Sequence, residues 1–144
     1  MYKRVANELF VLLAHPGGPL WTHRDAGVWT IPKGEFEKED ALEAARREFE
    51  EEIGTAVEGD FVALAPITQK SGKVVHAWAV EGDLDPRTVR SNLFEMEWPP
   101  KSGKKQNFPE VDRAGWFSIP DAIEKINPAQ RPLLLELERK LAGR

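Results

Sequence analysis

Between Asp40 and Gly54, the apolar residues Leu42, Ala45, Phe49 and Ile53 recur at helical spacing, and Gly54 stands where a left-handed C-cap is wanted. No other feature constrains the chain as strongly, because a helix over residues 40–53 has to lay that stripe on an apolar partner. At about 100° per residue the stripe is centred roughly 105° from the centre of Glu48, Glu51 and Glu52. These three glutamates therefore lie beside the core edge, while Glu43, Arg46 and Glu50 turn farther toward solvent. Like charges at i, i+3 and i+4 destabilise a helix by about 0.2–0.5 kcal/mol per pair, and Arg47 offsets part of that. Hard divalent cations take oxygen ligands, and Mg2+ combines a few carboxylates with waters and phosphate oxygens. Geometry alone leaves two readings open, a metal site and a solvated acidic face.

The rest of the chain supplies the surfaces on which the helix packs. Residues 5–14 are mostly apolar and partly β-branched, a buried strand that stops at His15-Pro16-Gly17-Gly18-Pro19. A short strand is expected over 28–31, closed by Pro32 and Gly34. Residues 61–68 and 73–80 read as a hairpin turning at Lys70-Ser71-Gly72, with His76 and Trp78 on one face. Over 93–98, Phe94, Met96 and Trp98 alternate with Glu95 and Glu97, the period of a half-buried strand. A brief strand at Trp116-Phe117 comes after a loop over 99–113. Ser118 with Asp121, and Asn127 before Pro128, mark two helix starts; the last helix is expected to reach about Leu141 with Leu133, Leu134 and Leu137 inward. Strands interrupted by one helix and followed by another predict an α+β chain with helices packed on a mixed sheet. At 144 residues with 41% apolar content, residues 1–144 form one domain.

Composition narrows the chemistry. With no Cys, disulfides and thiolate metal sites are excluded, and three scattered His do not make a zinc set. Any metal must be held by oxygen. The net charge of -4 argues against a general nucleic-acid binder. Acidic residues crowd between Glu35 and Glu58, whereas Lys101, Lys104 and Lys105 gather in the later loop, where they would steer an anionic ligand or simply be solvated. The segment beginning Met1-Tyr-Lys-Arg lacks a signal-like apolar run, and no stretch approaches membrane-spanning length. The expectation is a cytoplasmic protein without a membrane partner.

The stretch from Gly34 through Glu39, Arg47-Glu48-Phe49-Glu50-Glu51-Glu52-Ile53-Gly54 to Thr55 closely resembles the box of the Nudix hydrolases, MutT-like enzymes: G-x5-E-x7-R-E-U-x-E-E-x-G-U, with U a bulky aliphatic residue. From Glu39 onward the spacing agrees. Before it, four residues instead of five separate Gly34 from Glu39; Thr55 replaces the last aliphatic and Phe49 another. Trp29-Thr30-Ile31-Pro32-Lys33 ahead of the box, and Glu110 six residues before Trp116, extend the likeness over most of the chain.

The resemblance implies an α/β/α sandwich with a mixed sheet between helices, and a hydrolase that cleaves a phosphoanhydride bond in a nucleoside diphosphate-linked substrate with Mg2+ or Mn2+. Carried over residue by residue, Glu48, Glu51 and Glu52 hold the metal, with Glu110 and the Gly34 carbonyl as further ligands. Arg47 orients the carboxylates, Glu39 and Gly54 support the box, and Glu48 is the first candidate for the general base, with Glu110 second. Lys33 and Arg24 are candidate phosphate contacts. Gln130 is a candidate amide contact to a base, and Trp21, Trp29, Phe94 and Trp98 are candidate stacking faces, although aromatic side chains in a small domain mostly fill core. The three His are expected to be structural or solvent-facing. The Pro32-Lys33-Gly34 approach is similar to that of dinucleoside polyphosphate hydrolases, so a dinucleoside polyphosphate or related nucleotide is the favoured substrate. An RNA 5′-pyrophosphate, which would be the one nucleic-acid partner, an oxidised or ordinary NTP, and a diphosphoinositol phosphate are the alternatives. Two readings of other classes are a nucleotide-binding regulatory domain without turnover and an acidic protein-docking helix.

Overall fold

A computed structural model describes residues 1–32 and 40–142 of the chain. Its centre is the apolar run foreseen near the amino terminus, divided into a hairpin: β1 (Tyr2–Val5) pairs antiparallel with β2 (Glu8–Pro16), with Val5 opposite Glu8. Ala6 and Asn7 form the two-residue turn, both at positive φ, 51° and 67°, the backbone that suits the twist of flanking strands. The single strand expected over 5–14 is corrected accordingly. Asn7 favours this conformation, but Ala6 does not, so the turn left little trace in the sequence.

Successive residues of β2 serve opposite layers. Val11 and Leu13 pack with Trp29, Ile119, Ala122 and Ile126 and with Leu134, Leu137 and Leu141. Leu12 packs with Phe49, Ile53, Val57 and Val80. This alternation is what makes the chain a sandwich, because a strand buried on both faces needs a helical layer on each. One layer is α1 (Ala41–Ile53); the other is α2 (Ile119–Lys125) with α3 (Arg131–Leu141). Ser118 caps α2 through Asp121 N–H (3.4 Å). Asn127 caps a 3-10 turn, Pro128–Gln130, through Ala129 N–H (3.0 Å), and α3 comes next with Leu133, Leu134 and Leu137 buried as expected.

The sheet is mixed. β9 (Val111–Ser118) runs antiparallel to β2, with a bulge at His15/Pro16. On the other side of β1, Tyr2 N–H donates to the Val80 carbonyl (2.9 Å) and Gly82 N–H to the Tyr2 carbonyl (3.0 Å), a parallel contact. The hairpin expected over 61–80 is present but broken into β3 (Val62–Ala63) with β6 (Trp78–Ala79) and β4 (Ile67–Thr68) with β5 (Val74–Val75). One extra residue near Ala65-Pro66 shifts the register. Pro66 cannot donate to a ladder, and the Ala65 N–H turns away to Glu136 of α3 (2.7 Å).

Two further expectations change. Residues 28–31 make single bridges rather than a strand: Thr30 exchanges hydrogen bonds with Ala14, and Trp29 bridges Ile126. The expected loop over 99–113 contains β8 (Lys105–Pro109) and the start of β9; β8 pairs with β7 (Leu93–Glu97), the strand that alternation foresaw. Among the described residues, no helix is long and apolar enough to cross a membrane.

Candidate functional site

The site is built on α1. Its buried face comprises Ala44, Phe49, Ile53 and also Glu48, while Leu42 and Ala45 are half-buried. Glu48 thus lies deeper than a residue beside the core edge should, at 9% exposure. Burial pushes its carboxyl pKa above the ordinary glutamate value; Arg47 opposes this, and the nearby charges of Glu51 and Glu110 add to it. Arg47 spans two carboxylates from one guanidinium nitrogen, 2.9 Å from Glu48 and 3.2 Å from Glu51. Glu52 is half-buried on the same helix.

The C-terminal turn of α1 is held by the segments beyond it. Gly54, at φ 89°, returns its N–H to the Glu50 carbonyl (2.8 Å). A Cβ there would stand 2.5 Å from the Arg90 carbonyl oxygen, so both the left-handed backbone and the close approach require glycine. Arg90 N–H then donates to the Ile53 carbonyl (2.9 Å) and Asn92 N–H to the Glu51 carbonyl (2.8 Å). These contacts satisfy carbonyls that a helix end leaves without partners.

Glu110 comes from the junction of β8 and β9. Its N–H donates to the Asn92 carbonyl (3.0 Å), and its carbonyl accepts from Gly17 N–H (2.9 Å). The structure therefore brings Glu110, distant along the chain, to Arg47, Glu48 and Glu51 of one helical turn. It also adds Ser91, Asn92 and Gly17 as their backbone supports. Sequence reading passed over these three, since nothing in residue type marks a segment whose use is to cap another element's end. Gly17, in the His15-Pro16-Gly17 turn, carried the faintest signal.

Lys33, Gly34 and Glu39 lie outside the described residues. Arg24 is exposed; its guanidinium sits over the Trp21 ring (5.5 Å to the centroid), and its carbonyl accepts from His15 Nε2 (2.6 Å). Gln130 is fully buried in the α2–α3 layer, where its Oε1 accepts from Ile31 N–H (3.0 Å) and its Nε2 has no partner among the described residues. Neither is joined to the carboxylate cluster by a described contact. His15 is fully buried, held between Asp112 (2.9 Å) and the Arg24 carbonyl, with its ring edge-on to Trp29. Trp29 is core; Trp21, Phe94 and Trp98 remain half-exposed, and His23 and His76 face solvent.

A cation would meet hard oxygen donors here. The donors suit the group in kind: Glu48 sits where burial and two neighbouring carboxylates disfavour its charge, an imbalance that a divalent cation corrects. Their present arrangement is closed by Arg47, and among the described residues no group of three or more His, Asp or Glu stands ready to hold a metal.

The NUDIX domain family profile matches residues 5–137. No curated protein sequence matches significantly. Among solved structures, the chain is similar to a Caenorhabditis elegans Ap4A hydrolase in a binary complex, with 24% identity over 99% of this chain and 93% of that one and a TM-score of 0.64. It is also similar to the NUDIX domain of Shewanella oneidensis NrtR complexed with ADP ribose (13%, 98% and 83%, TM-score 0.66). The solution structure of the Escherichia coli ORF135 protein is a third (25%, 99% and 88%, TM-score 0.56).

Proposed function

The chain belongs to the NUDIX family, a pyrophosphohydrolase fold acting on phosphorus-containing anhydrides, and from that premise we propose that it cleaves the phosphoanhydride bond of a dinucleoside polyphosphate or related nucleotide. The observation that carries the reading is the buried Glu48, bracketed by Arg47 and Glu51 with Glu110 adding its charge from another element. The Pro32-Lys33-Gly34 approach and the likeness to the C. elegans Ap4A hydrolase support this substrate over the alternatives.

Glu48, Glu51, Glu52 and Glu110 are the side chains that would hold Mg2+ or Mn2+, with the Gly34 carbonyl as a further ligand. A bound divalent cation would neutralise phosphate oxygens and acidify water. The remaining work belongs to the chain. Glu48 accepts the proton of the attacking water on its carboxylate oxygen. Arg47 keeps the Glu48 and Glu51 carboxylates oriented until substrate and cation compete for them. Lys33 and Arg24 are the basic residues offered to the phosphate chain. Burial of Glu48 limits the water that could compete for its proton.

The test is product release from a panel of dinucleoside polyphosphates, ADP-sugars, NTPs, 5′-triphosphorylated RNA and inositol pyrophosphates with Mg2+, comparing the native chain with Glu48→Gln. The expected result is turnover of a nucleotide substrate that falls by at least about a hundredfold in the variant, the range of a lost general base. Unchanged turnover in Glu48→Gln removes the base assignment. Tight nucleotide binding with no turnover anywhere in the panel replaces the hydrolase reading with that of a ligand-sensing domain.

A further inference from the structure

Glu110 is not on the helix that carries the other carboxylates, so its place beside them has to be set by something outside α1. Hydrogen bonds converge on it from two segments. Besides the Asn92 carbonyl and the Gly17 N–H, Ser91 Oγ accepts from the next N–H, that of Val111 (3.0 Å), and itself donates to the Asn92 carbonyl (2.7 Å). The backbone on either side of the Glu110 carboxylate is thereby fixed to Ser91-Asn92. The same Asn92 is tied by its own N–H to the Glu51 carbonyl.

Its side chain completes the link. With the amide turned so that nitrogen faces the acceptors, Asn92 Nδ2 donates to Glu110 Oε2 (3.3 Å) and to the Glu51 carbonyl (3.1 Å). The opposite orientation would set Oδ1 against two acceptors, so the network itself decides the assignment.

We propose that Asn92 is a positioning residue, which holds the Glu110 carboxylate at a fixed distance from the Glu48–Glu51 turn. The inference rests on the hydrolase reading above. An amide suits this place because one nitrogen carries two N–H groups and serves two acceptors at once. Serine has a single donor, and aspartate would set a negative charge against Glu110. Asn92 is exposed, so water competes for both bonds and their contribution to folding is small. Their effect is on direction: they choose one place for a carboxylate that solvent would otherwise let swing, and the backbone bonds survive truncation of the side chain.

The experiment compares Asn92→Ala, Asn92→Asp, Glu110→Ala and the double variant Asn92→Ala/Glu110→Ala on the substrate that the native chain turns over. Asn92→Ala is expected to lower kcat on the order of 3- to 10-fold, the range for a hydrogen bond that water contests, with KM and melting temperature nearly unchanged. Asn92→Asp is expected to be worse, and the double variant no slower than Glu110→Ala alone. Multiplying losses in the double variant, or a change confined to KM, would overturn the proposal. A second readout does not depend on turnover: the side-chain NH2 resonances of Asn92 in 1H–15N spectra are expected to move in Glu110→Ala. If they stay in place the contact is absent and the proposal falls. If they move while the native chain hydrolyses nothing in the panel, the hydrolase reading falls alone.

Discussion

Glu48 joins two properties that ordinarily exclude each other, burial and a charge shared with neighbours of the same sign. Its folded pKa lies above the value of about 4.5 expected in the unfolded chain, with burial as the leading cause. A carboxyl whose folded pKa is raised binds more protons in the folded than in the unfolded state between the two values. Stability from this group therefore falls as pH rises from about 4.5 through the folded pKa and is level above it. Glutamine at this position removes the dependence. In urea titrations without divalent cations, the stability of Glu48→Gln relative to the native chain is expected to increase from about pH 4 upward and then level off. Parallel profiles across that range would show that Glu48 is not desolvated in the folded chain. Part of this was legible in the sequence: helical geometry put Glu48 beside the apolar stripe. How deep it would lie depended on how α1 seats against Leu12 and Val80, residues distant from it along the chain, which no local pattern contains.

At the scale of elements, the site exists because four segments meet: the C-terminal turn of α1, residues 90–92 ahead of β7, the junction of β8 and β9, and the turn after β2. The last two approach so closely that a Cβ on Gly17 would stand 1.9 Å from the Pro109 carbonyl oxygen. No rotamer relieves such a contact, because both sides are backbone, so Gly17→Ala has to part the turn from the strand junction. It is expected to cost about 1–3 kcal/mol, the range for overpacking, and to lower activity beyond any effect on stability, since the displaced residue adjoins Glu110. Denaturant unfolding together with kcat at a temperature where the variant is folded checks both; wild-type values in each would mean that the turn yields freely. The elements themselves were unevenly readable. α1 announced itself through apolar periodicity and its Gly54 C-cap, α3 through its leucines, although it starts at Arg131 after the 3-10 turn that Asn127 caps, and β7 through alternation. β8, with Lys105, Gln106 and Asn107 exposed in succession, shows no alternation, because it pairs along a projecting hairpin with little core to face. The break between β3 and β4 was likewise hidden, for it depends on Glu136 and Lys140 of α3 taking backbone groups of Ala65 and Ala63.

For the molecule as a whole, the two helical layers do different work. The α2–α3 side carries the larger apolar cluster, with Trp29 and the leucines of α3 around Val11 and Leu13. The α1 side is smaller and presents its carboxylates at one edge, where Arg47 answers both Glu48 and Glu51. This asymmetry explains why the sandwich could be foreseen from apolar pattern and the family likeness, while the meeting of Glu110 with α1 came only from the chain path. It also sets an expectation for the whole fold. If the carboxylates take a divalent cation, the folded state binds it and the unfolded chain does not, so stability rises by RT ln(1 + [L]/Kd), about 2.7 kcal/mol at a hundredfold excess over Kd. For a domain of this size that corresponds to a rise of about 5–10 °C in melting temperature. Mg2+ or Mn2+ should therefore raise the Tm of the native chain in a saturable way, and Glu48→Gln should lose most of the shift even though it relieves the cost of a buried charge. An equal shift in both proteins would place the bound cation elsewhere, and no shift in the native chain up to tens of millimolar would favour the acidic helix as a solvated or docking face, since a hard-ion site of four carboxylates should fill well before then.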